Sequence, residues 1–155
     1  MDILAKLLND KLAFTNLSYT IEEAKSIADL NKIPIMVCSR ILSEREPFKH
    51  SWDVTSDSIA AYIAGLLGSR LLIATDVDGI YTKDPSLEGA ELIKQIDVNE
   101  LLTFEESSID LMLPGLLKEY GLDCYVVNGK VPKRVLSIMN SNEENSFNYT
   151  FIKSK

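Results

Sequence analysis

The sequence predicts an α/β fold, a mostly parallel sheet covered by helices on both faces. Two observations carry this. Segments of strand character alternate with segments of helical periodicity, the order that right-handed crossovers between parallel strands require. In addition, Leu71-Leu72-Ile73-Ala74 is an apolar run without polar alternation, suited to a strand buried on both faces, and it turns abruptly polar at Thr75. Open α/β sheets bind ligands in the crevice outside the carboxyl ends of such strands. Thr75, Asp76, Asp78, Gly79, Tyr81, Lys83 and Asp84 therefore fall in or near a candidate site.

The other elements follow in order. Residues 1–8 place Ile3, Leu4, Leu7 and Leu8 at amphipathic helical spacing, a helix that needs something to pack on. Residues 21–30 form a second helix, capped by Thr20, with Glu22 and Glu23 in its first turn and Asn31 closing it. Residues 34–38 read as an apolar strand and 39–52 as a polar, irregular segment. An apolar helix over 58–67 ends at Gly68. Residues 91–96 make a weak strand and 97–102 a short helix. Ser107 or Ser108 is a candidate cap for a helix ending near Gly121, against the presence of Pro114 and Gly115 inside it. A strand over 122–127, the turn Asn128-Gly129-Lys130, a helix from Pro132 to Met139, a polar loop over 140–146 and an edge strand over 149–153 complete the chain.

At 155 residues the length fits a single domain over 1–155, and 46% hydrophobic residues suffice for one core. A net charge of -7 argues against nucleic acid or an anionic membrane surface as partner, since both recruit dense Lys and Arg. Cys38 and Cys124 each lie in apolar runs, which suits reduced core residues of a cytoplasmic protein, with a structural disulfide as the alternative. The longest apolar run, 59–68, falls far short of a membrane span. The apolar face of the first helix predicts self-association into a homo-oligomer.

The stretch Thr75-Asp76-Val77-Asp78-Gly79-Ile80-Tyr81-Thr82-Lys83-Asp84-Pro85 resembles the nucleotide-binding segment of the amino acid kinase superfamily. Asp-x-Asp-Gly alone also occurs in calcium loops, but the further ligands of an EF-hand are absent, so no protein metal site is expected. The resemblance implies ATP with Mg²⁺, held by Thr75, Asp76, Gly79, Tyr81, Lys83 and Asp84. Asp57, closing Asp53-Val54-Thr55-Ser56-Asp57, resembles the family carboxylate that orients active-site lysines, which implies a catalytic role. By position alone it is a carboxylate favoured by a helix N-terminus. A small phosphorylated acceptor would approach His50 and Trp52. The bland alternatives are a packed or surface histidine and a tryptophan that covers the core. Lys130 is either a phosphate contact or a solvated turn lysine.

This resemblance runs from about His50 onward. Within the superfamily, residues 50–57, Leu113-Pro114, and Tyr125-Val126-Val127-Asn128-Gly129 before Pro132-Lys133-Arg134-Val135 are most similar to the archaeal aminomethylfuran methyl phosphate kinases of methanofuran biosynthesis. Uridylate kinases are the nearest competitors. The implied function is an ATP-dependent phosphotransferase acting on a small phosphorylated metabolite. The alternatives are an aspartate- or glutamate-type kinase, or a non-catalytic nucleotide-binding fragment or subunit. Two departures bear on this. Residues 1–51 show neither the Lys-x-Gly-Gly-Ser turn nor the glycine-rich loop that hold phosphates in the family, and Ser108, Ile109 and Asp110 stand where many members have a second lysine. The chain therefore reads as the C-terminal, nucleotide-binding portion of such a kinase, N-terminally short, and is expected to transfer phosphate poorly alone.

Overall fold

The computed structural model describes residues 1–48, 51–104, 107–140 and 147–155 and resolves two compact units, Met1–Ser51 and Trp52–Lys155. In the first, α1 (Asp2–Lys11) precedes β1 (Thr15–Ser18), α2 (Ile21–Asp29), β2 (Ile33–Met36) and α3 (Cys38–Arg45). β1 and β2 pair in parallel, Thr15 opposite Ile33 and Ser18 opposite Met36. Thr20 caps α2 as the sequence predicts: its hydroxyl accepts the Glu23 N–H at 3.1 Å, while the Glu23 carboxylate takes the Tyr19 N–H at 2.7 Å. Asn31 then turns the chain out of the helix at φ 56°.

Two expectations fail in this unit. β1 has no counterpart in the sequence reading, because four residues with one buried side chain carry too little alternation to stand out. Residues 38–45, expected to be irregular apart from the strand end at Cys38, form α3: Cys38 and Ile41 are buried one turn apart, and Arg40 pairs with Glu44 at 2.9 Å. Polarity obscured a short helix with a one-turn apolar contact.

The second unit holds α4 (Ser56–Leu67), β3 (Leu71–Thr75), β4 (Gln95–Asp97), α5 (Val98–Leu101), α6 (Leu113–Tyr120), β5 (Cys124–Asn128), α7 (Pro132–Met139) and β6 (Thr150–Lys153). Its sheet runs β3-β5-β6-β4, with β3–β5 and β4–β6 parallel and β5–β6 antiparallel. Counted over both units the pairing is mostly parallel, the α/β architecture expected. On one face Tyr125 and Val127 pack with Ile138 of α7, and Leu72, Val135, Tyr149 and Phe151 close around them. On β3, α4 packs in turn. α4 crosses α6 closely at Gly65, where a Cβ would come within 2.6 Å of the Tyr120 ring.

β6 is not the expected edge strand but lies between β5 and β4, with Thr150 and Ile152 fully buried. Its brevity and polar flanks suggested an edge; long-range pairing places it inside. The helix with Pro114 starts only at Leu113, so Ser107 and Ser108 do not cap it and the proline falls in its first turn, where it is tolerated. The weak strand narrows to Gln95–Asp97, with a single bridge between Tyr81 and Leu92 upstream. Of the loop predicted over 140–146, Asn140 closes α7 and residues 141–146 lie outside the described residues. Both cysteines are free and buried.

Candidate functional site

Parallel register sets the site. Thr75 sits opposite Asn128 at the carboxyl ends of β3 and β5, and the Gly129 N–H donates to the Thr75 carbonyl at 2.8 Å, which extends the ladder into the turn. Beyond it the chain opens a cleft of about 330 Å³, lined by Thr75, Asp76, Val77, Gly79, Tyr81, Lys83, Asp84 and Pro85, with Ser107 and Ser108. All six residues predicted to contact a nucleotide share this one cleft.

The loop is held by tertiary contacts rather than by its own sequence. Gly79 has φ 156°, and a Cβ there would stand 2.9 Å from the Thr150 backbone nitrogen, so only glycine lets the turn lie against β6. The buried Thr150 hydroxyl accepts the Ile80 N–H at 2.8 Å and donates to the Ile93 carbonyl at 2.6 Å. Ser108 donates to the Gly79 carbonyl at 3.1 Å from the opposite wall. Sequence reasoning weighed the two serines as helix caps, and Ser108 as standing where many members have a second lysine, but nothing local marks them as wall residues.

The acidic residues divide by environment. The Asp76 side chain is exposed at the cleft mouth. Asp84 accepts the Ser86 hydroxyl and N–H at 2.6 and 2.8 Å, which holds its carboxyl below the usual range. Asp78 does not line the cleft: it takes Arg134 at 2.5 Å and Asn128 and Asn148 at 3.1 Å each, joining loop, β5, α7 and the entry to β6. Partial burial works to raise its pKa, but these three donors outweigh it and the carboxyl is held low.

Asp57 is not among the residues that line the cleft; it stands in the first turn of α4. Burial, reinforced by the charge of Asp110, pushes its carboxyl above the usual range. Trp52 is 100% exposed, so it does not cover the core, and it does not line the cleft. His50 lies outside the described residues. Lys130 is exposed in the turn after β5, its N–H held by Asn128 at 2.9 Å. Among the described residues no three His, Cys, Asp or Glu side chains cluster as metal ligands, and no helix is long and apolar enough to cross a membrane.

The sequence model of the amino acid kinase family matches residues 5–128. The chain belongs to this family. The amino acid kinase match begins well before His50, so the resemblance reaches into the first unit, further than the motifs alone suggested. The chain is 41% identical over 121 residues to the [5-(aminomethyl)furan-3-yl]methyl phosphate kinase of Methanocaldococcus jannaschii, covering 77% of this chain and 54% of that protein. It is 30% identical to the uridylate kinase of Methanococcus aeolicus over 142 residues, 85% of this chain and 58% of that one. The chain thus spans little more than half the length of these two relatives. The UMP kinase of Bacillus anthracis superposes with a TM-score of 0.75 over 99% of this chain and 64% of its own, at 21% identity, a likeness of fold.

Proposed function

We propose that the cleft binds the nucleotide of an ATP-dependent kinase whose acceptor is a small phosphorylated metabolite, with [5-(aminomethyl)furan-3-yl]methyl phosphate the favoured acceptor. The observation that carries this is the convergence of Thr75, Asp76, Gly79, Tyr81, Lys83 and Asp84 on one cleft in a chain 41% identical to the kinase of that acceptor. The volume falls within the roughly 300–1,000 Å³ of small-molecule sites. The donor set also fits a nucleotide: Tyr81 offers an aromatic surface, Thr75, Ser107 and Ser108 offer hydroxyls, and Lys83 offers a cation. Bound ATP would supply the transferable phosphoryl group, with Mg²⁺ held mostly by its phosphates. Asp76 is the exposed carboxylate of the cleft better placed to meet a cation: it accepts the Thr75 hydroxyl at a long 3.4 Å, whereas Asp84 is held by Ser86 at 2.6 and 2.8 Å.

Asp57 in this reading orients cations at the transfer end, and Trp52, fully exposed, is available to stack on a flat acceptor. His50 joins Trp52 as an acceptor contact. The lysine-bearing phosphate turns of the family are not matched in residues 1–51, which contain no glycine, so turnover by these 155 residues alone is proposed to be low. Exposed Ile3, Leu4, Leu7 and Leu8 on α1 support a homo-oligomer, and the free, buried Cys38 and Cys124 suit a cytoplasmic protein. Calorimetric titration with ATP and Mg²⁺ tests the core of the proposal: binding that weakens in Asp76→Ala supports it, and no heat with folded protein overturns it. A coupled assay with the aminomethylfuran phosphate and with UMP separates the two acceptors.

A further inference from the structure

One residue outside the motifs holds Asp57. Thr55 and Ser58 bracket it in sequence, and the Asp110 carboxylate accepts the backbone N–H of each, at 3.0 and 2.9 Å, together with the Thr55 hydroxyl at 2.8 Å and the Ser58 hydroxyl. The same carboxylate accepts the Leu113 N–H, the first of α6, at 2.8 Å. Asp110 also faces the Asp57 carboxylate, its charge working to raise the Asp57 pKa and its backbone working to lower it. Two helix N-termini, one of them carrying Asp57, are thereby tied to a single residue.

We propose that Asp110 is the positioning residue for Asp57, clamping the turn that carries it. The functional weight of this rests on the kinase reading of Asp57; the clamp itself rests on the contacts alone. Five donors converge on two oxygens, a task for a carboxylate. Asparagine would offer one acceptor oxygen and turn an NH₂ toward N–H donors. Asp110 tolerates burial because those donors hold its own carboxyl below the usual range, whereas Asp57, facing that charge, is pushed up. Apart from Asp110, the groups that act on or near Asp57 among the described residues include the Ser56 hydroxyl, which works to lower its pKa, and the Cys124 thiol of β5. Cys124 is fully buried and its thiol is pushed far up by that burial, so it stays neutral while Asp57 titrates.

The test is a carbon-detected NMR titration of the Asp57 carboxyl in wild-type, Asp110→Asn and Ser58→Ala proteins, with assignment by Asp57→Asn. In wild-type protein the Asp57 midpoint lies above that of an ordinary aspartate, and in Asp110→Asn it falls back toward that range. Should Asp110→Asn not fold, Ser58→Ala removes only the hydroxyl donor, and the Asp110 midpoint then rises. An unmoved Asp57 midpoint in folded Asp110→Asn, or an unmoved Asp110 midpoint in Ser58→Ala, overturns the clamp. Calorimetry with ATP and Mg²⁺ on the wild-type chain keeps the readings apart. Absent binding with a moved midpoint overturns the nucleotide reading alone, and binding with an unmoved midpoint overturns the clamp alone.

Discussion

In Trp52–Lys155, β5 and β6 each have a strand on both sides, and Cys124, Val126, Val127 and Ile152 are fully buried; in Met1–Ser51, β1 and β2 have only each other among the described residues, and Ile3 and Phe14 are 83% and 78% exposed. Parallel strands depend on cover over both faces, and a two-stranded sheet supplies little of it. The comparison teaches where each unit draws its stability. The larger unit relies on a shared apolar interior, and the loop that lines its cleft is fastened to that interior through Thr150 and Gly79. The smaller one leans on local devices such as the Thr20 cap and leaves apolar surface to be covered.

Mutations should separate the two. The largest effect is expected at Leu117, fully buried in α6: Leu117→Ala should destabilise by about 2–5 kcal/mol in urea denaturation. A loss below about 1 kcal/mol would mean that the interior of the larger unit is looser than its burial implies. Next comes Gly79→Ala, where the backbone conformation alone costs about 1–3 kcal/mol and the Cβ also meets the Thr150 nitrogen. This change should weaken ATP binding together with stability, and intact affinity would detach the loop from β6. In the smaller unit, Thr20→Ala should cost about 1 kcal/mol through loss of the α2 cap, read from the same denaturation curves.

A smaller effect appears only in acid. The Asp78 carboxyl titrates below its unfolded value of about 3.9, so its contribution to stability is fully present above that pH and is lost as pH falls through the depressed native value. Asp78→Asn should therefore flatten the acid limb of the stability profile below about pH 4, and an unchanged limb would show that Arg134 and the two asparagines do not hold the charge. The smallest change in monomer stability, within about 0.5 kcal/mol, is expected for Leu7→Ser, half exposed on α1. Its informative readout is mass by light scattering, which should drop toward 17.3 kDa if α1 is an oligomer contact.

By itself the sequence determined the elements whose signals are local. Leu71–Thr75 is an unbroken apolar run, Thr20 and Glu23 spell a capped helix start, and Gly68 and Gly121 stop helices at positive φ. It also pointed to the family and to six of the ten residues that line the cleft, because a long contiguous motif is read off a single turn of chain. What only tertiary structure decided are the contacts between residues far apart in sequence. Asp110 reaches Thr55 and Ser58 across more than fifty residues, Thr150 reaches Ile80 across seventy, and β6 is drawn into the sheet interior by pairing with β4 and β5. Such contacts leave no period and no local spacing in the chain. Their energy comes from burial and from satisfying polar groups that are adjacent only once the strands have paired.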